Sequence, residues 1–292
     1  MRTSSVLDRV LQHEGLNFAL TNRIPRRLAT RFMGWFSRIE QPLIRDVSIA
    51  VWQLFAGDLN LAEARKSHFT SLHDCFIREL RVGARPIDRA PGVIVSPCDG
   101  IMGAFGALED TSLIQAKGFP YTLEDLLSDS RLVEQLRGGS YVTLRLTSAM
   151  YHRFHAPYDS SIDDEVTYVP GETWNVNPAA LRRIDRLYCQ NERAIVPLRL
   201  VGSDQLLVLV PVAAILVAGI QFEFVDVPLD MAYRGPSRIP CRASFARGQE
   251  IGHFRHGSTI LVFGTRGLAP CAALCEGQIV RVGQPLMQFC EP

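Results

Sequence analysis

The apolar run from Leu206 to Ile220 limits the fold more than any other stretch. As a helix its roughly 15 residues would reach about 22 Å, short of the ~30 Å hydrocarbon core of a bilayer, and Pro211 interrupts it. It does not span a membrane. Its valines, with Phe222, Phe224, Val225 and Val227 following, predict strands buried inside a sheet.

A chain of 292 residues can bury about 75% of its unfolded surface, so a sizeable core is available. Net charge +1 gives no general bias toward nucleic acid, and none is expected as a partner. The seven cysteines (75, 98, 189, 241, 271, 275, 290) include no Cys-x-x-Cys pair, and no secretory apolar segment follows Met1. The expectation is reduced thiols in a cytosolic compartment.

Residues 15–39 contain Arg23, Arg26, Arg27, Arg31 and Arg38 and no acid, while Leu28, Phe32, Trp35, Phe36 and Ile39 recur at helical spacing. That pattern fits a basic amphipathic helix in a lipid interface, or a helix packed on the body with its basic face in water. A second helix is predicted from Leu43 to Phe55, opened by Pro42 and ended by Gly57. Phe69, Leu72, Phe76 and Leu80 predict a further helix within 61–80. Another is predicted from Leu123 to Leu136, with Thr122 as its cap.

Short strands separated by Gly-Gln pairs in the tail predict a compact antiparallel assembly. The fold class is therefore α+β: a compact antiparallel β-rich catalytic core over 61–292 with peripheral helices, and an N-terminal helical segment over 1–60, which docks on a membrane in the first of the two readings above.

Three motifs carry chemistry. Asp99 lies in Ser96-Pro97-Cys98-Asp99-Gly100, at the end of a strand over 93–95, although Asp-Gly is also a common hairpin turn. His152 and His155 flank Arg153: on an extended chain they face opposite ways and take different jobs, on a helix they share a face and bind metal. Gly257-Ser258-Thr259 precedes the apolar run Ile260 to Phe263. It reads as a turn feeding a strand, in which Ser258 supplies a hydroxyl beside the Gly257 carbonyl. Asp, His and Ser in one fold can form a triad whose carboxylate orients the imidazole and whose imidazole takes the serine proton. The exposed serine elbow Gly-x-Ser-x-Gly is absent.

The order Ser-Pro-Cys-Asp-Gly, Tyr-His-Arg-Phe-His-Ala-Pro and Gly-Ser-Thr resembles the phosphatidylserine decarboxylase proenzyme family. Phe76-Ile77-Arg78-Glu79-Leu80, the Gly83 to Asp88 segment and Gln115 to Tyr121 extend the likeness from about Leu61 to the end. The resemblance implies self-cleavage between Gly257 and Ser258, with catalytic Asp99 and His155 assisting Ser258. The products are a β chain of residues 1–257 and an α chain of residues 258–292. It implies a pyruvoyl cofactor made from Ser258, with no metal; for the proton that must reach the substrate α-carbon during turnover the candidate is His152, since a histidine titrates near neutral pH. The implied substrate is phosphatidylserine in the bilayer, converted to phosphatidylethanolamine and carbon dioxide. Peripheral association through residues 15–55 at the cytoplasmic face of the cell membrane, and a homodimer, complete the expectation. Met150, where an aspartate is common in the family, and His256, where an apolar residue is common, depart from the pattern.

Two other readings stand beside it. One is a metal-dependent hydrolase using His152 and His155, with His253 or His256 completing the ligands. The other is a membrane-surface protein that keeps the fold and is never cut.

Overall fold

The computed structural model describes residues 25–114, 120–215, 219–255 and 258–290. Residues 15–24 of the basic segment, most of the Gln115 to Tyr121 motif, His256 and Gly257 lie outside them.

Seven strands position the site: β1 (Gly100–Ala107), β2 (Ser140–Arg145), β3 (Arg153–His155), β4 (Arg193–Leu200), β5 (Leu206–Ala213), β6 (Glu250–Phe254) and β7 (Ser258–Gly264). Among the described residues, ten strands form one antiparallel sheet in which the order β4, β5, β7, β2, β1 is unbroken. β3 and β6 belong to a separate three-stranded sheet with Ile220–Phe222.

Every residue of β5 is buried, because both faces of its sheet are covered. Leu207 and Leu209 pack in one core cluster, Val208, Val210 and Val212 in another; Ile260 and Val262 of β7 join the first, Leu261 and Phe263 the second. That explains a continuous apolar run where a half-exposed strand would alternate. Pro211 has no N–H to donate, and the β5–β4 ladder skips from Leu209 to Val212 around it.

The Gly-Gln pairs build three turns of one kind. Gly248, Gly277 and Gly283 all have φ between 83° and 87°. In each turn the following glutamine's Oε1 accepts a backbone N–H from three residues earlier: Ala246 to Gln249, Cys275 to Gln278 and Arg281 to Gln284.

Helix α1 (Arg26–Phe36) begins directly after Pro25, and α2 (Pro42–Ala56) has Pro42 in its first turn, is capped by Gln41 and stops at Gly57. Neither is long and apolar enough to cross a membrane, nor is any other helix among the described residues. Several of their apolar residues are exposed: Leu28, Phe32 and Trp35 on α1, and Leu43, Val47 and Leu54 on α2, of which Leu43 and Val47 line a cavity.

Two predicted helices are corrected. The 61–80 segment holds only a short 3₁₀ turn (Leu61–Glu63) and α3 (Leu72–Phe76), because Ala64 and Leu80 pair as a β-bridge and draw the chain ends together. The 123–136 segment is two helices, Leu123–Leu127 and Ser130–Leu136. Ser128 adopts φ 56° between them, and Asp129 caps the second with its carboxylate. Thr122 caps the first as expected, in a reciprocal pair with Asp125. The Asp-Gly pair at 99–100 is no hairpin: the strand before it, Val93–Val95, pairs with Pro285–Phe289, whereas β1 pairs with β2.

Candidate active site

The register of the large sheet brings two of the three motifs to one end. Arg145 faces Thr259 across one ladder and Ile101 across the other, so Ser258 and Gly100 begin their strands at the same end of the sheet, on either side of β2. Two strand spacings, about 10 Å, separate them. On its other side Ser258 pairs with Ala213, whose N–H donates to the Glu192 carbonyl. Ser258 and Thr259 already belong to the strand, so these two residues of the predicted turn are extended instead.

The third motif arrives from the small sheet. The His155 N–H donates to the Pro97 carbonyl at 2.7 Å, and the Phe254 N–H donates to the His152 carbonyl at 3.0 Å. The first contact ties β3 to the Asp99 loop; the second ties it to the strand that leads to Ser258. Arg255 is then held by the Gly219 carbonyl and, at 2.7 Å, by the Asp230 carboxylate. The chain is anchored at Arg255 and again at Ser258, on either side of Gly257.

Asp99 is buried, and its carboxylate is occupied. Arg85 donates from Nε at 2.9 Å and from Nη2 at 2.7 Å, and the Val282 N–H donates at 2.9 Å. Such a bidentate pair fixes the carboxylate plane. His155 takes its orientation elsewhere: Nδ1 lies 3.0 Å from the Gly248 carbonyl and Nε2 lies 3.0 Å from the Tyr151 hydroxyl. A carbonyl oxygen only accepts, so Nδ1 carries the proton and Nε2 keeps a lone pair. Here the Gly248 carbonyl and the Tyr151 hydroxyl hold the imidazole, while Arg85 and Val282 hold the Asp99 carboxylate. Burial pushes His155 down to about 4; the Gly248 hydrogen bond and Asp99 oppose this, and Arg153 and Arg85 reinforce it. His155 is neutral at pH 7.

His152 is fully buried, with its ring 4.0 Å from that of Phe76. Phe76 stacks in turn on Trp52 of α2. Because β3 is extended, the two histidines take different surroundings, as their odd spacing predicts. They form no common ligand set: the one cluster of metal-binding groups among the described residues is Glu223, Glu250 and His253. There, Glu250 is also paired with Arg153.

Buried Arg78 donates to the carbonyls of Leu59 and Ala149, tying α3 to the loop that precedes the histidine pair. Sequence reasoning passed over Arg78, Arg85, Tyr151 and Gly248 as site residues; two arginines in a short segment before Asp99 were the available signal for the first pair. Glu192, fully buried at the start of β4, gave no signal.

A cavity of about 1070 Å³ opens at this end of the sheet. Its walls are mostly apolar and include Phe36, Val47 and Trp52 from the two N-terminal helices, Phe76, and Leu146 and Ile215 from the sheet end. Its size and composition suit acyl chains, and it adjoins the sheet end where Ser258 lies.

The family model described as phosphatidylserine decarboxylase matches residues 72–288. Similar proteins include the phosphatidylserine decarboxylase proenzyme of Myxococcus xanthus, 32% identical over 89% of this chain and 94% of that protein. The proenzyme of Vibrio cholerae is 31% identical over 90% and 94%, and that of Coxiella burnetii 32% identical over 82% and 86%.

Proposed function

Because the chain belongs to the phosphatidylserine decarboxylase family, we propose that it cuts itself between Gly257 and Ser258 and then converts phosphatidylserine to phosphatidylethanolamine and carbon dioxide. The observation that carries this reading is the meeting of the Asp99, His152–His155 and Ser258 segments beside a large apolar cavity.

In the cleavage step the Ser258 hydroxyl attacks the Gly257 carbonyl, and neutral His155 takes the hydroxyl proton on Nε2 in exchange for its bond to Tyr151. The Gly257–Ser258 C–N bond breaks to leave an ester and a free α-amine; β-elimination expels the Gly257 carboxylate, freeing residues 1–257, and the dehydroalanine left at residue 258 takes up water and loses ammonia to give the pyruvoyl terminus of the second chain. The β7 ladder fits this role, since it starts at Ser258. A break before it leaves the new terminus held by β5 and β2.

A pyruvoyl group at residue 258 supplies the carbonyl that takes up the electrons released as carbon dioxide leaves. Around it, the Arg85–Asp99 pair keeps the site's negative charge in place. His152, walled by Phe76, delivers a proton to the substrate α-carbon. The acyl chains lie in the cavity, and the exposed apolar face of α1 (Leu28, Phe32, Trp35) rests in the lipid interface at the cytoplasmic face of the membrane. A homodimer is the proposed assembly.

Intact mass spectrometry of freshly purified protein tests the reading. Two chains, 1–257 and 258–292, the second with a keto-acyl terminus, are expected; an uncut chain of 292 residues overturns it. Ser258→Ala and His155→Ala should remain uncut, whereas His152→Ala should be cut yet turn over poorly.

A further inference from the structure

β2 ends in a cation on the wall of an apolar cavity. Arg145 is half-buried and lines that cavity, and among the described residues its guanidinium makes no hydrogen bond and no ion pair. The other buried or half-buried arginines nearby are all engaged: Arg78 and Arg193 by carbonyls, Arg85 by Asp99, Arg153 by Glu250. Burial lowers the Arg145 pKa, with Tyr188 opposing. A guanidinium taken partly out of water without a partner is costly, and the cost is relieved when an anion docks. Its planar fork of N–H donors matches a phosphate.

We propose that Arg145 anchors the phosphodiester of a phospholipid whose acyl chains occupy the cavity, so that the site selects lipids carrying a phosphate beside the reacting amine. The proposal rests on the decarboxylase reading of Ser258. Arg145 faces Thr259, the residue after Ser258, on the adjoining strand about 5 Å away. In a phosphoserine headgroup only an oxygen and two carbons stand between phosphorus and nitrogen. A phosphate on Arg145 therefore leaves the amine within reach of residue 258. The carboxylate is the poorer partner for this arginine. Its charge disappears as carbon dioxide leaves, so pairing it would favour bound substrate over the transition state. The phosphate keeps its charge throughout and can be held from binding to release. Thr147 and Ser148 continue the chain from β2 along the same wall and offer hydroxyls to the remaining phosphate oxygens.

Trp52 lines the cavity and reports its occupancy by fluorescence. The test uses full-length Ser258→Ala protein, which cannot turn over, with and without Arg145→Met or Arg145→Lys. It is titrated with dihexanoyl phosphatidylserine, dihexanoylglycerol, decanoate, O-phosphoserine and inorganic phosphate. Arg145→Met is expected to weaken phosphatidylserine binding on the order of 30-fold or more, with Arg145→Lys intermediate. Dihexanoylglycerol binding should be unchanged by either substitution, which also shows that the cavity is still folded. Phosphatidylserine binding that ignores Arg145→Met overturns the proposal. So does an equal dependence of decanoate on Arg145, which would make this a fatty-acid site, or O-phosphoserine and phosphate binding as tightly as the lipid, which would make it a free-phosphate site. In the Ser258 background Arg145→Met should cut itself normally and lose a similar factor in kcat/KM. A Ser258 protein that never cuts removes the decarboxylase reading and leaves the binding result standing.

Discussion

The Nδ1 of His155 lies 3.0 Å from the carbonyl oxygen of Gly248, a residue 93 positions away whose φ of 84° only glycine adopts without strain. The orientation of the imidazole thus rests on a turn glycine. A Cβ at this position would stand 2.7 Å from a side-chain carbon of Ile87. Gly248→Ala should cost about 1–3 kcal/mol of stability and slow self-cleavage, because the carbonyl that holds the histidine moves. Denaturant melts and the uncut fraction over time measure the two effects; normal cleavage kinetics would show that the Gly248 contact does not orient the base.

Asp99 is buried against the half-buried Arg85, and removing the arginine leaves the carboxylate without its cation inside the protein. Arg85→Met should destabilise the fold by about 3–5 kcal/mol. Arg85→Met,Asp99→Asn, which removes both charges, should recover much of that stability while self-cleavage stays impaired. If the double substitution recovers nothing, the charge pair is not what Arg85 contributes.

Self-cleavage should tolerate mild acid. His155 is held down to about 4, so the base stays neutral and competent from pH 8 to about 5, and the rate should fall only as pH drops through about 4. Stability behaves differently. His73, His155 and His253 are each pushed down to about 4 by burial, below the 6.5 of an exposed histidine. The unfolded chain takes up these protons first as pH falls, so the histidines' contribution is whole above pH 6.5 and is lost toward pH 4. Rapid cleavage assays and denaturant titrations across pH 4–8 separate the two dependences; a cleavage rate that halves near pH 6.5 would contradict the assignment of His155.

Glu192 titrates with the opposite sign. Burial raises its carboxyl to about 8; the Tyr168 phenol and Arg27 oppose the rise, and Asp230 adds to it. The folded chain keeps this proton where the unfolded chain, with its value near 4.5, has released it. The contribution is therefore full below pH 4.5 and is lost as pH rises through 8. Glu192→Gln should match the parent at pH 4.5 and exceed it at pH 8 by on the order of a few kcal/mol. Equal denaturation midpoints at pH 8 would show that the folded site accommodates the charged carboxylate.

Leu28, Phe32 and Trp35 present an apolar face on α1 with no protein cover, beside the exposed Arg27 and Arg31. Leu28→Ser,Phe32→Ser,Trp35→Ser should weaken binding to anionic vesicles by about tenfold or more while leaving self-cleavage intact, since burial of these side chains in the lipid is lost. Sedimentation with vesicles measures the first and gel electrophoresis the second; undiminished binding would return α1 to a purely structural role.

Local chemistry made much of this protein legible in one dimension. The apolar run at 206–213 required a strand covered on both faces, Pro42 and Gly57 bracketed a helix, and Thr122 announced a cap, because each effect acts within a few residues. The Asp, His and Ser motifs named three segments that the fold brings toward one end of the sheet. Only the tertiary structure decided which of them touch. Arg85 takes Asp99 across 14 residues and Gly248 takes His155 across 93; such pairings depend on strand order and register, which no local pattern encodes. The same holds for the short helices of 61–80, where the Ala64–Leu80 bridge overrode a helical spacing, and for Arg145, which shares a cavity wall with residues of α1 and α2 and makes no hydrogen bond or ion pair among the described residues.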